Sequence, residues 1–488
     1  PATRKRQDGS SSRMTKATPP DVKDNLQTTF SAMKKITLAS FSLLLSLASC
    51  QKDDDASPAA DEHLAGGETT IFSAGPDAFT FPLANLDDAG LQRHAEADAA
   101  FGQQFVTYPA TIFGGLGPVF NQNACESCHV RNGRSQPPAS TGDPASGFLL
   151  RLSLPGAGAH GEPLAVPGFG GQLQTKAIFG EAPEGLLSMS FVQEIVEFLD
   201  GSTVTLQRPV ISIENAYQQL PQDLLTSLRN APPVHGLGLL EAISEADILA
   251  GVDENDSNGD GISGKANLVW DVKGQKMSLG RFGWKAGNPT AEQQTAAAFN
   301  NDMGITNSYF SAETCDGQAN CQTGLNDELD VNDDFLEVTA FYFQTLGVPA
   351  ARNLKDSQVK KGKALFAEAK CSSCHVPSHQ TGSHAIAQLS NQTIFPYTDL
   401  LLHDMGEGLA DHRPEFLADG NEWRTPPLWG IGLTKTVNPK ATFLHDGRAK
   451  TLEEAILWHG GEAEASKEFY KKLSKEERAA MVAFLEAL

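Results

Sequence analysis

Two short stretches stand apart in this chain: Cys125-Glu-Ser-Cys128-His129 and Cys371-Ser-Ser-Cys374-His375. A Cys-x-x-Cys-His run sets two thiols one helical turn apart, where they reach both vinyl groups of a porphyrin. The adjacent imidazole then lies beneath the iron. A chain with this cysteine and histidine content yields about 0.002 such runs by chance, so a pair of them is not accidental. The spacing implies two c-type haems, bound covalently through Cys125, Cys128, Cys371 and Cys374, with His129 and His375 as axial ligands. A redox dithiol or a zinc site would leave the following histidine unexplained. Thiols consumed as thioethers also cannot exchange disulfides.

Elements able to hold such sites flank the second run. Residues 359–370 read as an amphipathic helix with Val359, Gly362 and Phe366 on one stripe. The C-terminal segment repeats the pattern with Met481, Phe484, Leu485 and Leu488, and Ser474 with Glu477 forms a capping box at its start. Small cytochrome c domains cross two such helices, and residues 355–488 resemble that domain with a long insertion. Gly117-Pro-Val-Phe120 makes a shorter approach to the first run. The expected fold is mainly α: two cytochrome c-like domains, the first elaborated with irregular and short β insertions. Residues 75–350 would form the first and 351–488 the second. Residues 131–190 are rich in Gly and Pro, with strand-like pieces such as Phe148–Leu154, and read as an irregular insertion.

Past the second run, Trp423-Arg-Thr-Pro-Pro-Leu-Trp429 and Phe443-Leu-His445-Asp-Gly-Arg resemble the bacterial di-haem cytochrome c peroxidases. Gly280-Arg-Phe-Gly-Trp-Lys285, Asp302-Met-Gly-Ile-Thr306, Leu402-His-Asp-Met-Gly406 and His459-Gly-Gly-Glu462 are similar to a related di-haem oxidoreductase branch, sometimes labelled a thiol oxidoreductase. The likeness covers roughly residues 75–488. It implies that an axial ligand of the second haem lies fourteen residues after His445, which is His459, with Met405 as the rival. A second histidine would lower the potential and a methionine would raise it. The resemblance also implies a distal acid for the first haem, and Asp302 stands in the comparable place, near Gln293 and Gln294. The chain departs from the peroxidase pattern in having Asp for Glu there and Lys285 for Arg. Asp302 could equally be a solvated loop acid, and no distal histidine is identifiable for the first haem. The implied activity is peroxidase-like: electrons from a small redox donor enter at the His375 haem and pass to the His129 haem, where peroxide or a small oxidant is reduced. Trp423 or Trp429 would lie between. The alternative is a pure electron-transfer protein without turnover.

Charge and targeting narrow the setting. The formal charge is −22, and residues 50–488 hold 30 Lys or Arg against 57 Asp or Glu. Such a surface repels nucleic acid and anionic lipid. Met33, Lys34, Lys35 and the apolar run Ile36–Leu47 read as a signal peptide within residues 1–49. Leu47-Ala48-Ser49-Cys50 resembles a lipobox, which implies lipidation of Cys50 and a polar tether over residues 50–74. The expected location is the periplasm or cell surface, with the membrane met only through the anchor. Cys315 and Cys321 are left over, and in an oxidising compartment a local disulfide is expected, two free thiols being the alternative. Finally, Asp253–Gly264 carries oxygen ligands at alternate positions, as an EF-hand loop does. It suggests one calcium ion on Asp256, Asn258, Asp260 and the Ile262 carbonyl, with a plain Asx-rich turn as the alternative.

Overall fold

The computed structural model of the protein describes residues 61–488; the signal segment and Cys50 lie outside them. Of the described residues, 27% are helical and 20% are strand, so the expectation of a mainly α fold is wrong. The strand comes from the stretch read as irregular and from its continuation. Leu186–Glu197 and Thr203–Glu214 pair antiparallel over their full length, from Leu186 opposite Glu214 to Glu197 opposite Thr203. Both alternate β-branched or large apolar residues with polar ones, the pattern a pleated ribbon needs. Asp200-Gly201 closes the turn, with Gly201 at φ 77°, a conformation that costs glycine little. Phe148–Ala157 pairs with Leu225–Asn230 to make a smaller sheet that buries Leu150 and Leu152.

The predicted helices around the second Cys-x-x-Cys-His are present as Ser357–Glu368 and Lys475–Ala487. Ser474 and Glu477 form the capping box. The helices cross where Gly362 meets the Ala480 carbonyl, and a Cβ on Gly362 would stand 1.9 Å from that oxygen. No other residue fits there. Phe366 packs on Phe484 at 5.3 Å and both meet Tyr397. The tip of the ribbon belongs to this core as well: Phe198 and Leu206 are buried in it, and Arg478 lies over Phe198 while bonding Asp200 at 2.9 Å.

The polar start of the chain is less free than its composition suggests. Glu62 is 1% exposed and pairs with Lys363 at 2.7 Å. Ile71 bridges to Pro349. Cys315 and Cys321 are bonded, as expected, and pack against Val119. Among the described residues no helix is long and apolar enough to cross a membrane.

Candidate active site

Each Cys-x-x-Cys-His forms a tight 3-10 turn, Cys125–Ser127 and Cys371–Ser373, and each opens onto its own large cavity. In the first turn the His129 amide donates to the Cys125 carbonyl at 3.0 Å; in the second the His375 amide does the same to Cys371 at 3.0 Å. The imidazoles are then oriented by backbone. His129 Nδ1 donates to the Pro232 carbonyl at 2.8 Å and His375 Nδ1 to the Tyr397 carbonyl at 3.1 Å. That fixes the proton on Nδ1 and leaves Nε2 as a lone pair. Burial pushes both rings down to about 4, so they stay neutral.

The His375 cavity, about 1350 Å³, is walled by apolar side chains such as Phe366, Leu428, Phe443 and Met481. His459 and Met405 both face into it, so the structure brings both nominated partners to the same space. His459 lies just past the helix Leu452–Leu457, and its Nδ1 donates back to the Ala455 carbonyl at 2.8 Å, again freeing Nε2. Burial lowers its pKa, as it does that of His375.

His403 also lines this cavity and received no role from spacing. Its Nε2 meets Asp399 at 2.8 Å and its Nδ1 meets Glu462 at 2.7 Å and Cys374 Sγ at 3.5 Å. Burial opposes its charge, but the hydrogen bonds to Asp399, Cys374 and Glu462 outweigh it and push the ring up to about 12. The signal was in the Leu402-His-Asp-Met-Gly406 phrase, whose histidine carried a resemblance but no chemistry.

The His129 cavity, about 1510 Å³, is walled by a helix and by charge. Ala291, Gln294, Thr295, Ala298 and Asp302 share one face of helix Ala291–Met303 and present it to the cavity. Gln293 points elsewhere, to Trp270 and Val272 backbone. The approach to the first run fastens the end of that helix. Gly117 N–H donates to the Met303 carbonyl at 3.0 Å, and Asn121 N–H to that of Asp302 at 2.8 Å. Gly117 touches Gly304 so closely that a Cβ would lie 2.6 Å from its carbonyl oxygen. Asp302 is therefore not a solvated loop acid: its Oδ1 accepts from Gln172 Nε2 at 2.9 Å, and burial raises its pKa against the pull of Arg151 and Gln172.

Two further groups in this cavity escaped the sequence. Glu415 accepts from Arg413 at 2.9 Å and pairs with Arg229 at 3.3 Å; burial opposes its charge, yet these arginines draw it down to about 2. His235 is buried, stacks on Phe79 at 4.0 Å, and leaves Nδ1 without a partner. It is the second imidazole that spacing could not find. Neither residue lies near His129 in sequence, so only the fold brings them together.

The four thiols supply a chemical test. Burial pushes Cys125 up to about 12, with Asp302 adding to it, and pushes Cys371 up to about 12; Cys128 and Cys374 are raised too. A reactive redox dithiol is activated by a lowered pKa, the reverse of what is found here. Neutral thiols, Cys128 buried and the other three half-buried, beside an oriented imidazole and a large cavity fit a covalently attached haem. Cys374, Asp399 and His403 hold donors within 4.8 Å of one another, but a haem thioether on Cys374 would leave it a much weaker metal ligand than a thiolate.

A sequence model of the family described as "di-haem oxidoreductase, putative peroxidase" matches residues 60–488. The chain belongs to this di-haem oxidoreductase family. No curated protein matches it. In a di-haem oxidoreductase the wall between the two sites matters as much as either site. Here Arg134, Trp284, Arg424 and Pro426 line both cavities. Trp423 lines the His375 cavity alone and Trp429 the His129 cavity alone, so the tryptophan common to both is Trp284. Its Nε1 donates to the Asn230 carbonyl at 2.9 Å. His445 stacks on Trp423 at 3.6 Å and meets the Trp284 ring edge-on at 6.4 Å, joining the three rings in one row. Lys285, the departure from the peroxidase pattern, is fully buried under Trp423 and bonded to Asp411 at 2.8 Å.

The nominated calcium loop lies beside the His375 cavity through Ile262. Asp256 Oδ1 and Asn258 Oδ1 each accept from the Asp260 amide at 2.9 Å, so the loop also has the internal bonds of an Asx-rich turn. Ser263 N–H donates to Glu462 at 3.0 Å and ties the loop to the His403 network.

Proposed function

We propose that this oxidoreductase reduces peroxide, or a small oxidant of similar size, at the His129 cavity, using electrons delivered through the His375 side. The observation that carries the reading is Asp302, a half-buried acid of raised pKa in the His129 cavity with no counterpart in the other. Two c-type haems, held by the four cysteines with His129 and His375 as axial ligands and His459 or Met405 opposite His375, would supply the redox chemistry. Overall, peroxide takes up two electrons and two protons and leaves as two waters.

The chain's own residues would handle the protons. With Oδ1 engaged by Gln172, Asp302 accepts a proton from peroxide on Oδ2 and returns it to the departing oxygen. Glu415, held ionised by Arg413 and Arg229, cannot share that task near neutral pH. Two carboxylates with pKa values pushed apart in one cavity are the usual mark of divided acid–base roles. Trp284 and the His445–Trp423 stack supply a row of rings toward the electron-entry side.

The same reading makes the donor a small redox protein, cationic by preference given the acidic surface, and sets the protein in the periplasm or at the cell surface on a Cys50 lipid anchor. The Cys315–Cys321 disulfide supports an oxidising compartment. A calcium ion on Asp256, Asn258, Asp260 and the Ile262 carbonyl would stiffen the wall next to Glu462.

His235 supports a second reading. Its orphaned Nδ1 could close the remaining axial position at the His129 side, and the protein would then transfer electrons without turnover. The oxidised protein's spectrum separates the two. High-spin iron that binds cyanide is expected for the peroxidase; its absence at every redox poise sinks that reading.

A further inference from the structure

Seven arginines are buried among the described residues. Four hold a carboxylate: Arg229 with Asp411 and Glu415, Arg413 with Glu415, Arg448 with Asp446, and Arg478 with Asp200. Arg134, Arg281 and Arg424 hold none. A guanidinium removed from water without a counter-charge costs several kcal/mol, so such a group signals a missing anion.

Arg134 is 7% exposed and offers five N–H donors, yet its one hydrogen bond is to the Leu444 carbonyl at 3.2 Å. Its guanidinium also rests 5.2 Å over the Trp284 ring. Arg424 is 8% exposed and donates to the Gly283 and Thr425 carbonyls at 2.9 and 3.0 Å. The acid whose charge reaches it, Asp399, is already bonded by His403. Burial pulls both guanidiniums down to about 10. Arg281 differs in place: it gives Nη1 to the Leu240 and Ile243 carbonyls and lines the His129 cavity alone.

Arg134 and Arg424 both line both cavities. Each haem carries a pair of propionate carboxylates, which a planar guanidinium binds in bidentate fashion. We propose that Arg134 and Arg424 form a shared propionate clamp, each taking carboxylates from both haems at the wall between the cavities. The clamp would turn the propionate edges of the two macrocycles toward Trp284. It would also couple their electrochemistry, because each added electron is felt by the same two cations.

The inference rests on the two-haem reading, which a pyridine haemochrome assay tests separately by counting covalent haems per chain. The clamp itself is tested by spectroelectrochemical titration of the full, haem-loaded protein. Losing a nearby cation favours the oxidised form. Arg134→Gln and Arg424→Gln should each lower both midpoint potentials, by about tenfold in each reduction equilibrium, or about 59 mV per one-electron couple. Arg281→Gln should lower only that of the His129 haem. Arg134→Lys, which keeps the charge, should restore both values and serves if the glutamine variant folds poorly. With two haems counted, an Arg134→Gln protein that shifts one potential or neither overturns the shared clamp and leaves the two-haem reading standing.

Discussion

The His375 cavity is walled by Phe366, Leu428, Phe443 and Met481 and holds two ligand candidates besides His375 itself. The His129 cavity is walled by arginines, a carboxylate tied down by two of them, and a second acid whose burial raises its pKa. The same pentapeptide signature thus opens onto two kinds of space. An apolar space with a ligand on each side suits a group that changes charge and nothing else. A polar space with a titratable acid suits a group that must also move protons. Under the proposed function, what would distinguish relay from catalyst is the wall opposite the signature, not the signature.

The comparison breaks most completely if either signature is removed. Cys125→Ala with Cys128→Ala should cut the haem count from two to one per chain and abolish peroxide turnover, while the remaining haem keeps its spectrum. Loss of both haems would mean that the cavities do not load independently. Next in size, Asp302→Asn should slow peroxide reduction by on the order of 10²–10⁴-fold at unchanged haem content. Asp302 works as a base before it works as an acid, so activity should rise with pH through its raised pKa, and the variant should lack that limb. Wild-type turnover in the variant would remove Asp302 from the mechanism.

His459→Gly sharpens the other side. The His375 haem should become five-coordinate, seen as a high-spin signal, and an unaltered spectrum transfers the role to Met405.

A smaller effect concerns stability. Burial pushes His445 down to about 3 against an ordinary 6.5, so between these values the unfolded chain binds the extra proton. Stability should therefore fall as pH falls through that window, by about 1.4 kcal/mol per pH unit for this group. Urea midpoints measured from pH 7 to pH 4 would show it, and His445→Gln should flatten the slope. The smallest effect expected is that of calcium removal. The loop's own amides already engage Asp256 and Asn258, so a chelator should lower the melting temperature slightly and leave both haem spectra in place; loss of the His375 spectrum would show the ion to be essential.

What sequence could reveal was local. The two signature turns, the capping box at Ser474 and the disulfide loop each depend on residues a few positions apart, and each is present; the Gly362 crossing joins distant helices but was marked by a glycine on a helical stripe. Asp302 was found through a resemblance and proved to be fastened by the stretch before Cys125. Glu415, His235, Arg134 and Arg424 were not found, because their meaning comes from facing a cavity made by distant segments. His403 had a phrase but no partner in sight until Asp399 and Glu462 were brought to it. The fold class failed for a different reason. The ribbon's strands hold Pro209 and expose apolar residues such as Ile195, features that read as irregular chain when each strand is scanned alone and make sense once paired.

That ribbon carries its tip a long way along the chain, since Asp200 and Arg478 are 278 residues apart. Phe198 and Leu206 are buried in the C-terminal core, where Phe198 meets Tyr470 edge-on at 6.4 Å. The last third of the protein is therefore not a portable cytochrome that could be cut out and used alone. Excised at residue 351, it would display a raw apolar footprint where the ribbon had been, and closing that footprint in the intact chain must wait for the slowest kind of contact, one between segments made early and late in synthesis.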